Sequence, residues 1–347
     1  MSTTRTEPLP PPPSVSKKTI PMAGLLVDVY GLAELSAPSP ATRLTCLWLH
    51  HPRMQTKEIM GDFASRTVAA WNERRKASAI AAGRGLVALA FDQRNHGTRL
   101  VSEIANRSWK AGNETHAIDM MGAIRGMVED TRGLMDVVEG YLGCAGAEGA
   151  VVDGHYVMGR SLGGHSAWQL MFGDERVTAG VIIIGCPDYM ALLSDRGRRT
   201  ALATYKSEDG GASFLGSRHF PRDLVDVCRR ADPKGLLFGT DPIAINPDEA
   251  KREKLKPVLD RTIKGKRFLS CSGGADRLVP YHMAEPFINF LQGASRGWYK
   301  DGNVVMDDRV YAGVGHEFSD DMIRDSVEFL IRALEEEGKN SEEKARI

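Results

Sequence analysis

A serine with a glycine two positions away on each side is the pattern in this sequence that most strongly suggests catalysis. Ser161 is the centre of Gly159-Arg160-Ser161-Leu162-Gly163, which follows the apolar run His155–Met158 and precedes a stretch typical of a helix. A chain this long contains Gly-x-Ser-x-Gly by chance about one time in ten, so its position at a strand-to-helix turn carries the argument. Such a turn strains its central residue, and the flanking glycines remove side chains that would collide. Ser161 is therefore predicted to be a nucleophile at the carboxyl edge of a sheet.

A serine hydroxyl becomes a good nucleophile when a base takes its proton and a third group orients that base. Asp276 lies in the loop Ser272–Pro280 after an apolar run, and His316 follows the last predicted strand in a Gly-x-Gly-His setting. Both are expected at the same sheet edge as Ser161, in the chain order serine, acid, histidine. Asp188 also follows a strand and is the rival acid, although a turn or substrate-site role suits it better.

Other ligand-binding patterns are incomplete. His316-Glu317-x-x-Asp320 resembles the zinc motif HExxH but lacks its second histidine, and His50 and His51 would point to opposite faces of a strand. There is no GxGxxG after a strand and no GxxxxGK[ST]. We expect neither a metal nor a cofactor.

The composition points to a small-molecule partner. The 347 residues include 45 basic and 45 acidic ones, and no basic and aromatic stripe stands out, so we expect no nucleic acid and no membrane surface as partner. No stretch has the form of a signal peptide or a membrane span, which predicts a cytoplasmic protein. The five cysteines are odd in number and show no CxxC pairing, so they are interpreted as reduced core residues. The oligomeric state stays open, with a homodimer as one option.

The elements that must position these groups alternate between short β-prone runs and longer helical stretches, which predicts an α/β fold with a mostly parallel sheet flanked by helices. The strand candidates are Leu25–Tyr30, Leu44–Leu49, Leu86–Phe91, His155–Met158, Val181–Ile184, Arg267–Cys271 and Val304–Ala312. Apolar residues recur with helical spacing from Ile118 to Leu142 and again in Asp320–Glu336.

One catalytic domain is expected at residues 19–337, between a disordered proline-rich tail at 1–18 and a charged disordered tail at 338–347. The alternation stops at about 189–262, which is interpreted as a helical lid inserted over one sheet edge. Its basic cluster Arg196-Gly197-Arg198-Arg199 is more often a solvated face, although in a lid it could meet an acidic substrate.

Three features together resemble the α/β-hydrolases: the strand-to-helix turn around Ser161, called the nucleophile elbow in that family, the chain order of serine, acid and histidine, and the turn Asp92-Gln93-Arg94-Asn95-His96-Gly97. The resemblance runs from about residue 25 to 337 and leans toward the dienelactone-hydrolase-like and prolyl-oligopeptidase-like esterases. It implies the α/β-hydrolase fold, with Ser161 as nucleophile, Asp276 as acid and His316 as base. Dienelactone hydrolase itself carries a cysteine at the elbow, so its substrate is not implied.

The resemblance also implies an oxyanion hole. Leu162 matches the residue whose backbone N–H is one donor. The loop that supplies the second donor in the family corresponds to Leu49-His50-His51-Pro52-Arg53 in this sequence. Proline has no N–H to give, so the backbone of His51 or Arg53 is the candidate second donor. Five side chains near these motifs are candidates for the substrate pocket: His50, Arg160, His165, Asp188 and Tyr189.

The sequence thus predicts a serine hydrolase that cleaves a carboxylic ester, lactone or thioester of a small molecule through an acyl-enzyme. Three alternatives stay open: an acyltransferase on the same triad, a peptidase for very short peptides, and a ligand-binding protein without turnover.

Overall fold

A computed structural model describes residues 8–36, 41–77 and 83–345. Its centre is an eight-stranded sheet in the order β1-β2-β4-β3-β5-β6-β7-β8. Strand β2 pairs antiparallel with both β1 and β4, whereas β3 to β8 are all parallel to one another. The predicted mostly parallel sheet is confirmed. The strands are β1 Lys17–Met22, β2 Leu25–Tyr30, β3 Arg43–His50, β4 Arg84–Ala90, β5 Val151–Arg160, β6 Val177–Ile183, β7 Arg267–Gly273 and β8 Val305–Tyr311.

Helices cover both faces of this sheet. The described α-helices are α1 Gly61–Ala77, α2 His116–Met135, α3 Val138–Leu142, α4 Leu162–Gly173, α5 Tyr189–Arg199, α6 Arg222–Ala231, α7 Pro233–Phe238, α8 Glu249–Thr262, α9 Tyr281–Arg296 and α10 Asp320–Ala345. The helical pattern predicted from Ile118 to Leu142 is divided between α2 and α3.

Alternation along the strands builds one apolar core on each face. Leu47 and Leu49 of β3 belong to the core beneath α1 and α10, whereas Cys46 and Trp48 point to the core beneath α2 and α4. Because both faces are covered, the central parallel strands are almost entirely buried, and the active groups come from the loops at the strand ends.

Strand β1 was not predicted. It begins at Lys17, inside the stretch expected to be a disordered tail, and Asp28 of β2 binds both Lys17 and Lys57 through ion pairs of 2.8 Å. The extended chain before β1 is tied down as well, since the backbone N–H of Leu9 donates to Asp320 over 2.9 Å. At the other end α10 continues to Ala345. Residues 1–7 and 346–347 of the two expected tails lie outside the described residues.

All five cysteines are free thiols. Cys46, Cys186, Cys228 and Cys271 are buried, as predicted, whereas Cys144 is exposed near the end of a short helical segment that precedes β5. No helix in the described part of the chain is both long and apolar enough to cross a membrane.

Candidate active site

Ser161 lies between β5 and α4 in a strained backbone conformation. Its φ of 56° and ψ of −112° fall in a region that a residue with a side chain rarely adopts. The conformation is held because the backbone N–H of Ser161 donates to the carbonyl of Ile183, at the end of β6, over 2.8 Å. This is the tight strand-to-helix turn that the sequence pattern predicts.

The glycines of this turn are required by close backbone packing. A Cβ at Gly159 would lie closer than 3.0 Å to the carbonyl oxygen of Gly163, and a Cβ at Gly163 would lie equally close to the carbonyl oxygen of His50. Real Cβ atoms do not come so near. The turn can therefore sit tightly against the end of β3 only with glycine at both positions.

Three predicted residues meet at the carboxyl edge of the sheet. Ser161 Oγ lies 2.8 Å from His316 Nε2, and His316 Nδ1 lies 2.7 Å from Asp276 Oδ2. The Asp276 side chain is fully buried and that of His316 is 23% exposed, so the chain of hydrogen bonds leads from the interior toward solvent. A proton can pass between Ser161 and His316 without any movement of the main chain.

The surroundings of Asp276 keep it ionised. Burial acts to raise the pKa of Asp276, but hydrogen bonds from His316 and from the backbone N–H groups of Val279 and Leu278 outweigh it, and the pKa is lowered. The two N–H groups donate to Asp276 Oδ1 over 3.0 and 2.7 Å. Asp276 can therefore accept a hydrogen bond from Nδ1 of His316 and leave Nε2 free to accept a proton.

Backbone hydrogen bonds join the loop of Asp276, here called the acid loop, to the loop of His316, here called the histidine loop. The N–H of Ala275 donates to the carbonyl of Val314 over 2.9 Å, and that of Gly274 donates to the carbonyl of Tyr311 over 2.8 Å. A Cβ at Gly273 would overlap the carbonyl oxygen of Gly315. Asp276 and His316 are thus positioned by one continuous pair of loops.

The candidate oxyanion donors lie on both sides of Ser161. Leu162 is the first residue of α4, and the N–H groups of a first turn have no acceptor within their own helix. Across from it, β3 ends at His50, and the turn after it carries His51 and Arg53. Which of these two backbones faces the serine stays a prediction.

Gln93 fixes this second turn, a role the sequence did not suggest. Its backbone N–H donates to His51 Nε2 over 2.9 Å, and its side chain donates to the carbonyl of His51. Gln93 follows β4, which is the neighbour of β3 in the sheet. In the sequence, its position in the turn Asp92-Gln93-Arg94 was the feature that could have indicated this role. The candidate oxyanion turn is thereby tied to the adjacent strand end.

Four of the five candidate pocket side chains are buried and engaged inside the fold. His50 is bonded at both ring nitrogens, to Ser166 over 2.8 Å and to Thr131 over 3.1 Å. His165 Nδ1 lies 3.0 Å from the carbonyl oxygen of Cys186 and 3.1 Å from its backbone nitrogen. These ring nitrogens are thus bound by groups of the fold itself.

Asp188 and Tyr189 also serve the fold. Asp188 caps α5 by accepting from the N–H of Ala191 over 2.9 Å, and the Tyr189 hydroxyl donates to the carbonyl of Ala117 over 2.7 Å. Arg160 is the fifth candidate and is partly exposed, although its Nε is buried without an acceptor among the described residues.

No protein-family model and no curated protein matches this chain. Among solved structures it is similar to TT1662 from Thermus thermophilus, with a TM-score of 0.54 and 19% identity over 92% of this chain and 98% of that one. It is also similar to a mutant of puromycin hydrolase complexed with PGG, with a TM-score of 0.50 and 14% identity. That match covers 94% of this chain but 40% of the other. Identities this low concern the fold alone, which is the α/β-hydrolase fold predicted from the motifs.

Proposed function

We propose that this chain is a serine hydrolase that cleaves a carboxylic ester, lactone or thioester of a small molecule through an acyl-enzyme. One observation carries the proposal: a strained serine, a histidine and a buried aspartate are joined by hydrogen bonds of 2.8 and 2.7 Å. The fold alone would not support it, because the same fold hosts many functions.

Each of the three side chains has one role in the proposed reaction. His316 Nε2 takes the proton of Ser161 as Oγ attacks the carbonyl carbon, and returns that proton to the leaving alcohol or thiol. Asp276 accepts the hydrogen bond from Nδ1–H and so keeps Nε2 unprotonated and directed at the serine. A water molecule then loses a proton to His316 and attacks the acyl-enzyme, and His316 returns that proton to Ser161 Oγ as the bond to the acyl group breaks and the acid leaves.

The negative charge that develops on the carbonyl oxygen is assigned to backbone donors. The N–H of Leu162 is one, and the N–H of His51 or Arg53 is the other. Losing one such donor typically costs about 10² to 10³ in rate. A structure with a covalent phosphonate on Ser161 tests this assignment, and an oxyanion that met only the N–H of Leu162 would exclude the second donor.

Residues 189–262 are proposed to form a lid that selects the substrate. Helix α5 within this segment lies against the acid loop, because Arg196 donates to the carbonyl of Leu278 over 3.2 Å and Arg199 donates to that of Arg277. Exchanging the segment for one of different shape should change ester preference while a fluorophosphonate still labels Ser161. Unchanged selectivity would exclude the lid role.

The direct test of the function is intact mass after incubation with a fluorophosphonate. We expect a single adduct on the wild type, none on Ser161→Ala, and an adduct on Ser207→Ala, which alters an exposed serine. No adduct on folded wild-type protein would mean that Ser161 is not activated, and a ligand-binding protein without turnover would then be the better description.

A further inference from the structure

A groove with a volume of about 910 Å³ lies between α1, α10 and the proline-rich segment before β1. Sites for small molecules in proteins typically enclose about 300–1,000 Å³. Its lining includes Ala69 and Ala70 of α1 and Ile323, Val327 and Ile331 of α10. None of its lining residues belongs to the proposed triad or to the candidate oxyanion turn, so the groove is a separate feature of the molecule.

The two helices run side by side in the same direction. The rings of Phe63, at the start of α1, and Phe318, just before α10, lie 5.7 Å apart, and farther along Arg74 pairs with Glu335 over 3.5 Å. A helix rises about 1.5 Å per residue, so the stretch of α10 from Ile323 to Glu335 is about 18 Å long. The groove is therefore elongated.

Short side chains keep the space between the helices open. The lining residues of α1 recur at intervals of three and four positions, which places them on one stripe of the helix surface: Arg66, Ala69, Ala70, Glu73 and Arg74. Alanine stands in the middle of this stripe, where a longer apolar side chain would reach across to α10. The stripe therefore leaves apolar surface of both helices accessible to a ligand.

The third side of the groove is formed by residues 9–13, here called the strap. Its ends are held in place, since the N–H of Leu9 donates to Asp320 over 2.9 Å and Arg66 donates to the carbonyl of Pro10 over 2.7 Å. All four residues from Pro10 to Pro13 are prolines and have no backbone N–H. The strap thus presents the CH₂ groups of its rings to a ligand and few hydrogen-bond donors.

The arginines that line the groove already have acidic partners. Each of the four forms an ion pair: Arg66 with Asp62, Arg74 with Glu335, Arg324 with Asp321, and Arg332 with Glu328. An anionic ligand would have to compete with these carboxylates, and its charge would lose hydration against the apolar side chains. The charge pattern therefore favours a ligand without charge.

We propose that this groove binds an elongated, uncharged apolar molecule, such as a medium-chain alcohol, with its chain lying along Ile323, Val327 and Ile331. Removal of the chain from water supplies the driving force, and the length of the groove selects the shape. The inference goes beyond the proposed hydrolase function and does not rest on it, because the groove is lined by none of the residues assigned to that reaction.

The test uses Nile red, an uncharged dye whose fluorescence rises in apolar surroundings. The dye is titrated into the full-length protein and then displaced by 1-decanol or by decanoate, which have chains of the same length and differ in charge at neutral pH. We expect saturable binding of the dye. Decanoate should need a concentration about tenfold higher than 1-decanol, or more, for the same displacement, because its charge has to be desolvated.

Two substitutions that fill the groove test its location. Ala69→Trp and Val327→Trp should each raise the Kd of Nile red about tenfold or more. Ala77→Trp is the matched control and should keep the wild-type Kd, because Ala77 is the exposed last residue of α1 and does not line the groove. Thermal unfolding identifies any variant that fails to fold, and Val327→Trp provides a second measurement if Ala69→Trp does.

No saturable binding by the wild type would overturn the proposal. A Kd that both groove variants retain would overturn it as well, because the dye would then be bound elsewhere on the protein. Decanoate as effective as 1-decanol would contradict the requirement for an uncharged ligand. Gel filtration tests another occupant: a wild-type dimer that Ala69→Trp converts to a monomer would make the groove an interface between two copies and exclude the small-molecule site.

Discussion

The carbonyl oxygen of His50 occupies the space that a side chain at Gly163 would need. His50 is the last residue of β3 and Gly163 is the second residue of α4, so the turn that presents Ser161 rests directly on the main chain of the neighbouring strand. Because main chain cannot rotate away as a side chain does, even one methyl group at this point has to displace the serine.

Gly163→Ala should therefore damage both the fold and the site. Overpacking of this kind typically costs about 1–3 kcal/mol, and the rate of fluorophosphonate labelling should fall along with the midpoint of thermal unfolding. Gly173→Ala is the matched control at the other end of α4, where an added Cβ would meet nothing within 4 Å. Equal effects of the two substitutions would mean that the close contact with His50 does not matter.

Asp276→Asn should remove activity and leave the protein folded. The amide oxygen of asparagine can still accept from the N–H groups of Leu278 and Val279, but its NH₂ then faces His316 Nδ1. That nitrogen has to become the acceptor, so the proton moves to Nε2, which can no longer take one from Ser161. We expect ester hydrolysis to fall about 10³- to 10⁴-fold.

The readout for Asp276→Asn is the rate of ester hydrolysis together with thermal unfolding. The exposed Asp301→Asn is the control and should retain the wild-type rate. A rate for Asp276→Asn within tenfold of the wild type would assign the orientation of His316 to another group.

Asp232 should make the protein less stable as the pH rises. Burial, followed by the charge of Asp188, raises the pKa of Asp232 well above its usual range. Between the unfolded value, about 3.9, and that raised value, only the folded protein holds the proton, so stability falls with increasing pH. Asp232→Asn should remove up to about 1.4 kcal/mol per pH unit of this slope and raise the unfolding midpoint at pH 7.

Denaturant unfolding from pH 5 to 8 measures the effect of Asp232→Asn. A slope identical to that of the wild type would show that Asp232 is ionised in the folded protein or protonated to the same extent in both states.

Asp28 is as deeply buried as Asp232 but should have the opposite effect. Burial acts to raise the pKa of Asp28, yet hydrogen bonds from Lys17, Lys57 and Thr19 outweigh it and the pKa is lowered. The stabilisation is therefore complete above the unfolded pKa and is lost as the pH falls through the folded one. Asp28→Asn should cost stability at pH 7, in the range of about 3–5 kcal/mol for breaking a buried ion pair.

The deficit of Asp28→Asn should shrink as the pH falls below the unfolded pKa of about 3.9 toward the lower folded one, because protonation then begins to remove the stabilisation of the wild type. Unfolding free energies at pH 7 and pH 3 check this, and a constant difference would contradict it.

The sequence predicted the parts of the fold that depend on local pattern. Seven strands were predicted because most of them are short runs rich in apolar residues next to a turn, and the serine turn was predicted because glycine, serine and glycine must occur together there. Strand β1 was missed because Lys17–Met22 alternates only weakly, contains Pro21 and pairs with a single neighbour at the sheet edge.

The partners of polar side chains could not be predicted, because they depend on residues far away in the chain. His50 was a candidate for the pocket, but its ring is held by Thr131, which is 81 positions further on. Within one basic cluster, helical periodicity buries Arg196 and exposes Arg198 and Arg199, and the residue pattern did not predict that only the two exposed side chains pair with Asp195.

The bonds between the acid loop and the histidine loop divide the site into two moving parts. Backbone hydrogen bonds join Ala275 to Val314 and Gly274 to Tyr311, so Asp276 and His316 are expected to move together. Ser161 instead lies between β5 and α4 and moves with them. Relative motion of the two parts then changes mainly the distance between His316 Nε2 and Ser161 Oγ. Their hydrogen bond is the one that has to break when Ser161 is acylated and form again when the proton returns to Oγ.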